Sequence, residues 1–367
     1  MILADLGAEV LKIEQPGVGD YMRTTPPLIG SQSAMFLTLN RNKKSLTLNL
    51  KSEKGRAILY KLLNKYDIVV ESFRPGVMKK LAVDYETLKK INPRVIYCPI
   101  TGFGQDGPYR DLVGHDINYL ALAGVLSLTG EENGPPIVPG IPIADIAGSM
   151  FATIGILAAL SSREKTRRGQ LVDISMFDGM VSWLTIQAAR YIGEGKPPER
   201  GTFPAGGELF YDVYETKDDR YIAVGAVEEK FWQNLCQAIG ATELMQYRPF
   251  KDRKTKEAHE RLSHLFKTKT RDEWFSLLGN RDVCVTSVKT LDEVFSDPHV
   301  QYRRLVFDLN CPGSGLVKQL ALPIKFSETQ PVLKSPPPTL GEHTELILDE
   351  LGYTWTQIEQ LRKEGVI

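Results

Sequence analysis

Short β-type runs alternate with segments of helical periodicity through the first half of this chain, and that cadence limits what it can fold into. Residues 8–14, 45–49, 67–71, 95–100 and 170–175 read as strands. Between them, residues 52–66 carry Ile58, Leu59, Leu62 and Leu63 at helical spacing, residues 75–90 read as helical, and residues 147–163 as a long apolar helix. Residues 1–6 read as the last turns of a helix closed by Gly7 as its left-handed cap. Strands separated by helices require crossover connections, so the fold class is α/β with a largely parallel sheet. Residues 67–71, with Ile68, Val69 and Val70 in succession, are expected as a buried strand.

The character changes after a Gly/Pro-rich stretch at 191–207. Residues 209–214 and 221–226 read as an antiparallel pair joined by the turn Thr216-Lys217-Asp218-Asp219, with helices at 229–239, 255–266 and 270–278. A proline-rich stretch at 331–338 then leads to a helix pair around 342–363. The 367 residues are thus expected to form a large domain at 1–188, a linker at 189–208, a smaller α+β domain at 209–315, a second linker at 316–338 and terminal helices at 339–367.

Lys+Arg and Asp+Glu both number 45, so the net charge is zero and no nucleic-acid partner is expected. An anionic ligand must then be held by local basic residues. Cys98, Cys236, Cys284 and Cys311 show no CxxC spacing, which predicts reduced, buried thiols, no zinc or other metal site and a cytoplasmic location. The longest apolar run, 150–160, contains Gly155 and is shorter than a membrane span; no membrane partner is expected. The start, MILADLGAEV, is too short and acidic for a secretory signal.

Chemistry concentrates between residues 114 and 145. Gly114-His115-Asp116-Ile117-Asn118-Tyr119 opens this stretch and Ile143-Ala144-Asp145-Ile146 closes it. An imidazole and a carboxylate can exchange protons at neutral pH, and a carboxylate can also attack a carbonyl. Asp145 reads locally as the N-cap of the apolar helix, where the helix dipole favours its anion. Gly102-Phe103-Gly104-Gln105-Asp106-Gly107 matches GxGxxG, but Pro108 and a polar loop follow instead of a helix, so it reads as a turn. Gly206-Gly207 is too short for a phosphate loop.

Blocks in one order along the whole chain resemble the family III CoA-transferases (CaiB/BaiF type), and most closely their α-methylacyl-CoA racemase branch. They include LADLGAEVLKIEQPGVGD (3–20), NRNKKSLTLNLK (40–51), ESFRPGVMKKL (71–81), ITGFGQDGPYRD (100–111), GHDINYLALAG (114–124), IPIADIAGSM (141–150), RRGQLVDISMFDGM (167–180), AVGAVEEKFW (223–232) and LGEHTELILDELGY (340–353). The resemblance implies a Rossmann-like large domain completed by the C-terminal helices, a small domain, and an interlocked homodimer with its active site between subunits. The family's opening strand and glycine/proline loop are not among the matching blocks, and the resemblance makes full activity depend on them.

By the same resemblance Asp145 is the catalytic carboxylate, His115 the second base of the racemases, and Glu228 the glutamate that approaches the histidine from the small domain. Lys51, Ser72, Phe73, Arg74 and Lys80 fall at CoA-contact positions. Gly114, Asp116, Ile117, Asn118 and Tyr119 are likewise expected to bind the coenzyme A thioester, Asp116 and Tyr119 fixing the loop and lining the acyl-thioester pocket. Gln15 stands where racemases offer an arginine to the nucleotide. Coenzyme A is then substrate, as an acyl-CoA thioester, with no tightly bound cofactor. The reading is two-base racemisation of a 2-methylacyl-CoA; the alternatives are CoA transfer through an aspartyl anhydride and thioester at Asp145, or a non-catalytic acyl-CoA or dinucleotide binder.

Overall fold

The computed structural model describes residues 1–248, 256–331 and 333–367. They form two compact units, one of Met1–Val113, Ile146–Met176 and Phe295–Ile367, the other of Gly114–Asp145 and Phe177–Val294.

In the first unit the parallel strands fall in two sheets rather than the expected one. Val10–Glu14 pairs in parallel with Lys43–Thr47. Ile96–Thr101 lies between Ile68–Glu71 and Ile174–Ser175, again in parallel. No ladder joins the two sheets among the described residues. Ile68–Glu71 is an edge strand, and the expectation that it is buried fails: Val70 is half exposed. The helix expected over 75–90 breaks into Val77–Lys80 and Tyr85–Ile91 at Ala82, whose φ is +57°. The break turns Val83 fully inward, and the Tyr60 hydroxyl donates to the Ala82 carbonyl at 2.6 Å.

The terminal helices Thr344–Glu350 and Trp355–Lys363 bury Ile347, Leu348, Ile358 and Leu361 against Leu46, Leu48, Ile58 and Leu62. Backbone bonds fix their register: His343 N–H donates to Ser45 O at 2.9 Å and Asn49 N–H to Val366 O at 2.8 Å.

A hairpin that periodicity did not reveal, Val306–Cys311 with Gly315–Leu320, packs Leu309, Cys311 and Val317 on Leu37. Its fully buried Gln319 accepts from Arg41 Nη1 at 3.1 Å, and Arg41 grips Asp5 through Nη2 (2.6 Å) and Nε (3.2 Å). The Asn42 amide adds a third bond to Asp5 at 2.8 Å. Such a bidentate pair, almost wholly buried, leaves an uncompensated charge when one partner is removed, at a cost of about 3–5 kcal/mol. It ties the first helix, Ile2–Asp5, to the hairpin more than three hundred residues on.

Residues 295–315 therefore pack in the first unit, not in the small domain expected over 209–315. Residues 114–145 and 177–188 likewise fall outside the large unit, and Arg200 reaches back to Gly134 O (3.0 Å) and Ser127 O (3.2 Å).

The second unit is built on an antiparallel sheet ordered Val285–Ser287, Tyr221–Gly225, Tyr211–Glu215; the pair around the 216–219 turn is the one read from sequence, and Val285–Ser287 is an addition. Helices Glu229–Ala238, Lys256–Phe266 and Arg271–Leu278 supply Trp232, Leu235, Leu262, Phe266, Trp274 and Leu278 to one core with Tyr214, Ile222 and Val224. The expected helix start at Thr255 lies outside the described residues.

The helix Ile143–Thr166 begins four residues before and ends three after its expected span of 147–163. At 24 residues, with a mean hydropathy of 1.9 over an 18-residue window, it is long and apolar enough to cross a membrane, contrary to the expectation from uninterrupted runs. Two glycines let it close on its neighbours. A β-carbon at Gly148 would lie 2.7 Å from Met176 Cγ, and one at Gly155 2.6 Å from Val172 Cγ1. Its other side is open: Ile146, Met150, Ile154 and Leu157 are 38–58% exposed.

Candidate active site

Two helix starts meet in the second unit and carry the candidate acid/base groups. His115 is the N-cap of Asp116–Leu122, in extended backbone conformation, and its N–H is satisfied by Asn118 Oδ1 at 3.0 Å. Tyr119, buried, donates its hydroxyl to Gly114 O at 2.6 Å and so closes the loop ahead of the histidine. A β-carbon at Gly114 would come 3.0 Å from Asn118 Cβ and 3.1 Å from Tyr119 Cε1, which is why the smallest residue stands there. His115, Ile117 and Asn118 are exposed and Asp116 is half-buried.

Asp145 is not the N-cap that its sequence context suggests. Ile143 and Ala144 precede it within the helix, so it is the third helical residue. The capping is done by Asp116: its Oδ1 accepts from Ala144 N–H at 2.6 Å and Asp145 N–H at 3.1 Å. First-turn N–H groups have no partner inside their own helix, and an anion there also meets the positive end of the dipole. The carboxylate of Asp145 is thereby released from capping and left open to solvent.

Its electrostatics follow from these neighbours. Desolvation by surrounding atoms pushes the Asp145 carboxyl above the ordinary aspartate value, the Asp116 carboxylate pushes it further, and His115 pulls it back. His115 and Asp145 thus lie close enough for their charges to interact. Tyr119 belongs to the same cluster: burial and then the Asp145 charge hold its phenol above the normal range.

Glu228 lies at the start of another helix. It is the exposed N-cap of Glu229–Ala238, its side chain makes no capping bond, and its charge is felt at Cys284. Cys284 is exposed, contrary to the buried thiols expected, while Cys98, Cys236 and Cys311 are buried; all four are free.

Of the candidate CoA residues, Lys51, Ser72, Phe73, Arg74 and Lys80 lie in the first unit, and Gly114 and residues 116–119 in the second. Phe73, half exposed, donates its N–H to Glu71 Oε2 at 2.7 Å, and Tyr97 donates its hydroxyl to Glu71 Oε1 at 3.2 Å. Burial raises the Glu71 carboxyl. Ser72, Arg74 and Lys80 are exposed on the loop and short helix that follow. Lys51 is exposed, its N–H held by Asn49 Oδ1 at 3.0 Å. The GFGQDG segment is a turn with no helix after it, pinned by Gly104 N–H to Thr101 Oγ1 (3.0 Å) and Gln105 N–H to Asp173 Oδ2 (2.9 Å).

Gly206 and Gly207 adopt φ of +91° and +79°, and a β-carbon at Gly207 would fall 1.6 Å from Gly201 O, so backbone packing alone demands glycine there. Among the described residues no group of three His, Cys, Asp or Glu is placed to hold a metal ion. Two features of the site are not legible in the sequence. The capping role of Asp116 crosses 28 residues and has no local signal. Arg110 is visible in sequence only as part of the GPYRD block.

Comparison with known proteins shows the family. CoA-transferase family III matches residues 1–344. The human succinyl-CoA:glutarate CoA-transferase is 34% identical over 374 residues, covering 100% of this chain and 85% of its own. Human α-methylacyl-CoA racemase is 35% identical over 382 residues, covering 100% and 92%. The crystal structure of a CaiB/BaiF family protein from Brucella suis superposes with a TM-score of 0.82 at 33% identity, covering 95% of this chain and 93% of that one. The chain is an enzyme belonging to CoA-transferase family III, a family whose members among its relatives include both transferases and racemases.

Proposed function

We propose that this enzyme racemises the α-carbon of a 2-methylacyl-CoA by two-base proton transfer. One group takes the α-proton, the C–H electron pair passes into the thioester carbonyl as an enolate, and the other group returns a proton to the opposite face. The observation that carries this reading is that His115 and Asp145, set at two helix starts that meet through Asp116, lie close enough for their charges to interact, with the Asp145 carboxyl raised above the ordinary aspartate value. Backbone N–H groups supply the stabilisation that an enolate oxygen requires. Coenzyme A enters only as the thioester carrier, bound by the exposed cations of the 72–80 segment and Lys51.

A second reading is supported by the succinyl-CoA:glutarate CoA-transferase, as similar to this chain as the racemase is. There Asp145 attacks the thioester carbonyl and expels CoA thiolate. The thiolate then attacks the resulting anhydride, releasing the first acid and leaving CoA as a thioester on Asp145. An incoming carboxylate reverses these steps.

We propose further that the enzyme is a homodimer, supported by the apolar face Ile146, Met150, Ile154 and Leu157, with a second copy covering it. Glu228 then completes the His115 site from the other subunit, orienting the imidazole.

Three measurements test these readings. In deuterated water, a 2-methylacyl-CoA gains α-deuterium with the wild-type enzyme and loses that exchange by at least roughly 100-fold in His115→Ala. Absence of exchange, with hydroxylamine trapping Asp145 during turnover, establishes the transferase instead. Second, Asp116→Asn keeps an oxygen to cap the helix but removes the charge that raises Asp145. In the direction where Asp145 takes the proton, the acid limb of kcat/KM therefore moves to lower pH; an unmoved limb contradicts the coupling. Third, sedimentation finds a wild-type dimer and an Ile154→Glu monomer with unchanged circular dichroism; a monomeric wild type rejects the dimer.

A further inference from the structure

The 72–80 segment is more than a row of surface cations, because a fixed guanidinium from another loop lies over it. Gly76, with φ of +88°, turns the chain after Arg74, whose carbonyl accepts from Val77 N–H at 3.1 Å. A β-carbon on Gly76 would sit 3.5 Å from Arg110 Nη2. Glycine is required there for its backbone and leaves that side of the turn open to the arginine.

Arg110 is held in place from its other edges. Its Nε donates to Gln105 O at 2.8 Å, its Nη1 lies 3.3 Å from Asp111 Oδ1, and its N–H closes a turn on Gly107 O at 3.3 Å. The loop that carries it is stiffened by the Phe103–Tyr109 edge contact, 5.8 Å between centroids, and by the bond from Gln105 to Asp173. The Nη2 edge, facing Gly76, donates to no acceptor among the described residues. Arg74, Lys79 and Lys80, exposed on the turn and short helix around Gly76, have no carboxylate within ion-pair distance among the described residues either. Among the described residues the only carboxylate paired with any of these four cations is Asp111, whose side chain is 80% exposed.

In a chain of zero net charge, three exposed cations on the 74–80 turn and helix, unpaired among the described residues, with Arg110 packed against the turn's glycine, mark a local anion site. A guanidinium with a free, pre-oriented edge suits phosphate, whose oxygens take paired N–H donors. We propose that Arg110 is a phosphate-binding residue for the nucleotide end of coenzyme A, acting with Arg74 across Gly76. The assignment rests on the acyl-CoA reading above but not on which reaction follows. It adds to the 72–80 cations a donor with fixed direction, because its guanidinium is anchored while theirs are solvent-exposed.

Calorimetric titration with CoA, 3′-dephospho-CoA and pantetheine tests this without turnover. Arg110→Gln should weaken CoA by roughly tenfold or more, the loss of a charge-assisted bond, and leave pantetheine, which has no nucleotide diphosphate, unchanged. Arg110→Lys should recover part of the loss by restoring the charge without the fork. If 3′-dephospho-CoA shows the same loss as CoA, the diphosphate is the partner; if it shows none, the 3′-phosphate is. Equal weakening of CoA and pantetheine in Arg110→Gln, or no weakening of either, overturns the assignment and leaves the acyl-CoA reading standing. Failure of wild-type protein to bind CoA overturns both.

Discussion

The Asp116 carboxylate, seated on the first-turn N–H groups of the helix Ile143–Thr166, is the interaction on which the candidate site depends. It satisfies the donors of Ala144 and Asp145 at 2.6 and 3.1 Å. Because Asp116 begins the helix that His115 caps, this one contact sets the start of one helix against the start of another. It also places a second negative charge beside Asp145. The same oxygen therefore does two things: it relieves Asp145 of capping duty and makes its anion harder to form. A carboxylate that is exposed, close to an imidazole and reluctant to ionise has the properties that general acid/base chemistry asks of it.

The scaffold holds these starts through interactions of a different kind. In the first unit the buried Asp5–Arg41–Gln319 knot and the shared core of the terminal helices with Leu46, Ile58 and Leu62 join segments from both ends of the chain. In the second, aromatic packing around Phe266 and Trp274 and the reach of Arg200 to the 127–134 backbone do the same over shorter spans. The candidate functional residues stand at helix starts and on loops attached to these cores, the usual division between rigid support and reactive surface.

Element types were largely legible because periodicity is a local property. The parallel strands, the antiparallel pair around the 216–219 turn and the terminal helices all announce themselves by spacing. What escaped was set by distant partners. Ala82 breaks a helix-like run so that Val83 can be buried, and the hairpin at 306–320 packs on Leu37 and Arg41 from the other end of the chain. The start of the Ile143–Thr166 helix was misplaced for the same reason. Asp145 has the local look of a cap, yet the cap arrives from Asp116, outside the sequence window that suggests it. Family motifs made His115, Asp145 and the 72–80 segment visible, but not the charge coupling of the first two or the anchoring of Arg110 over Gly76.

Whether the thioester α-carbon lies between imidazole and carboxylate is decided by a crystal structure of Asp145→Asn with a bound 2-methylacyl-CoA. For two-base racemisation the α-carbon should be flanked on opposite faces by His115 and the residue at 145. A thioester carbonyl carbon set against residue 145, with His115 out of reach of the α-carbon, would contradict it.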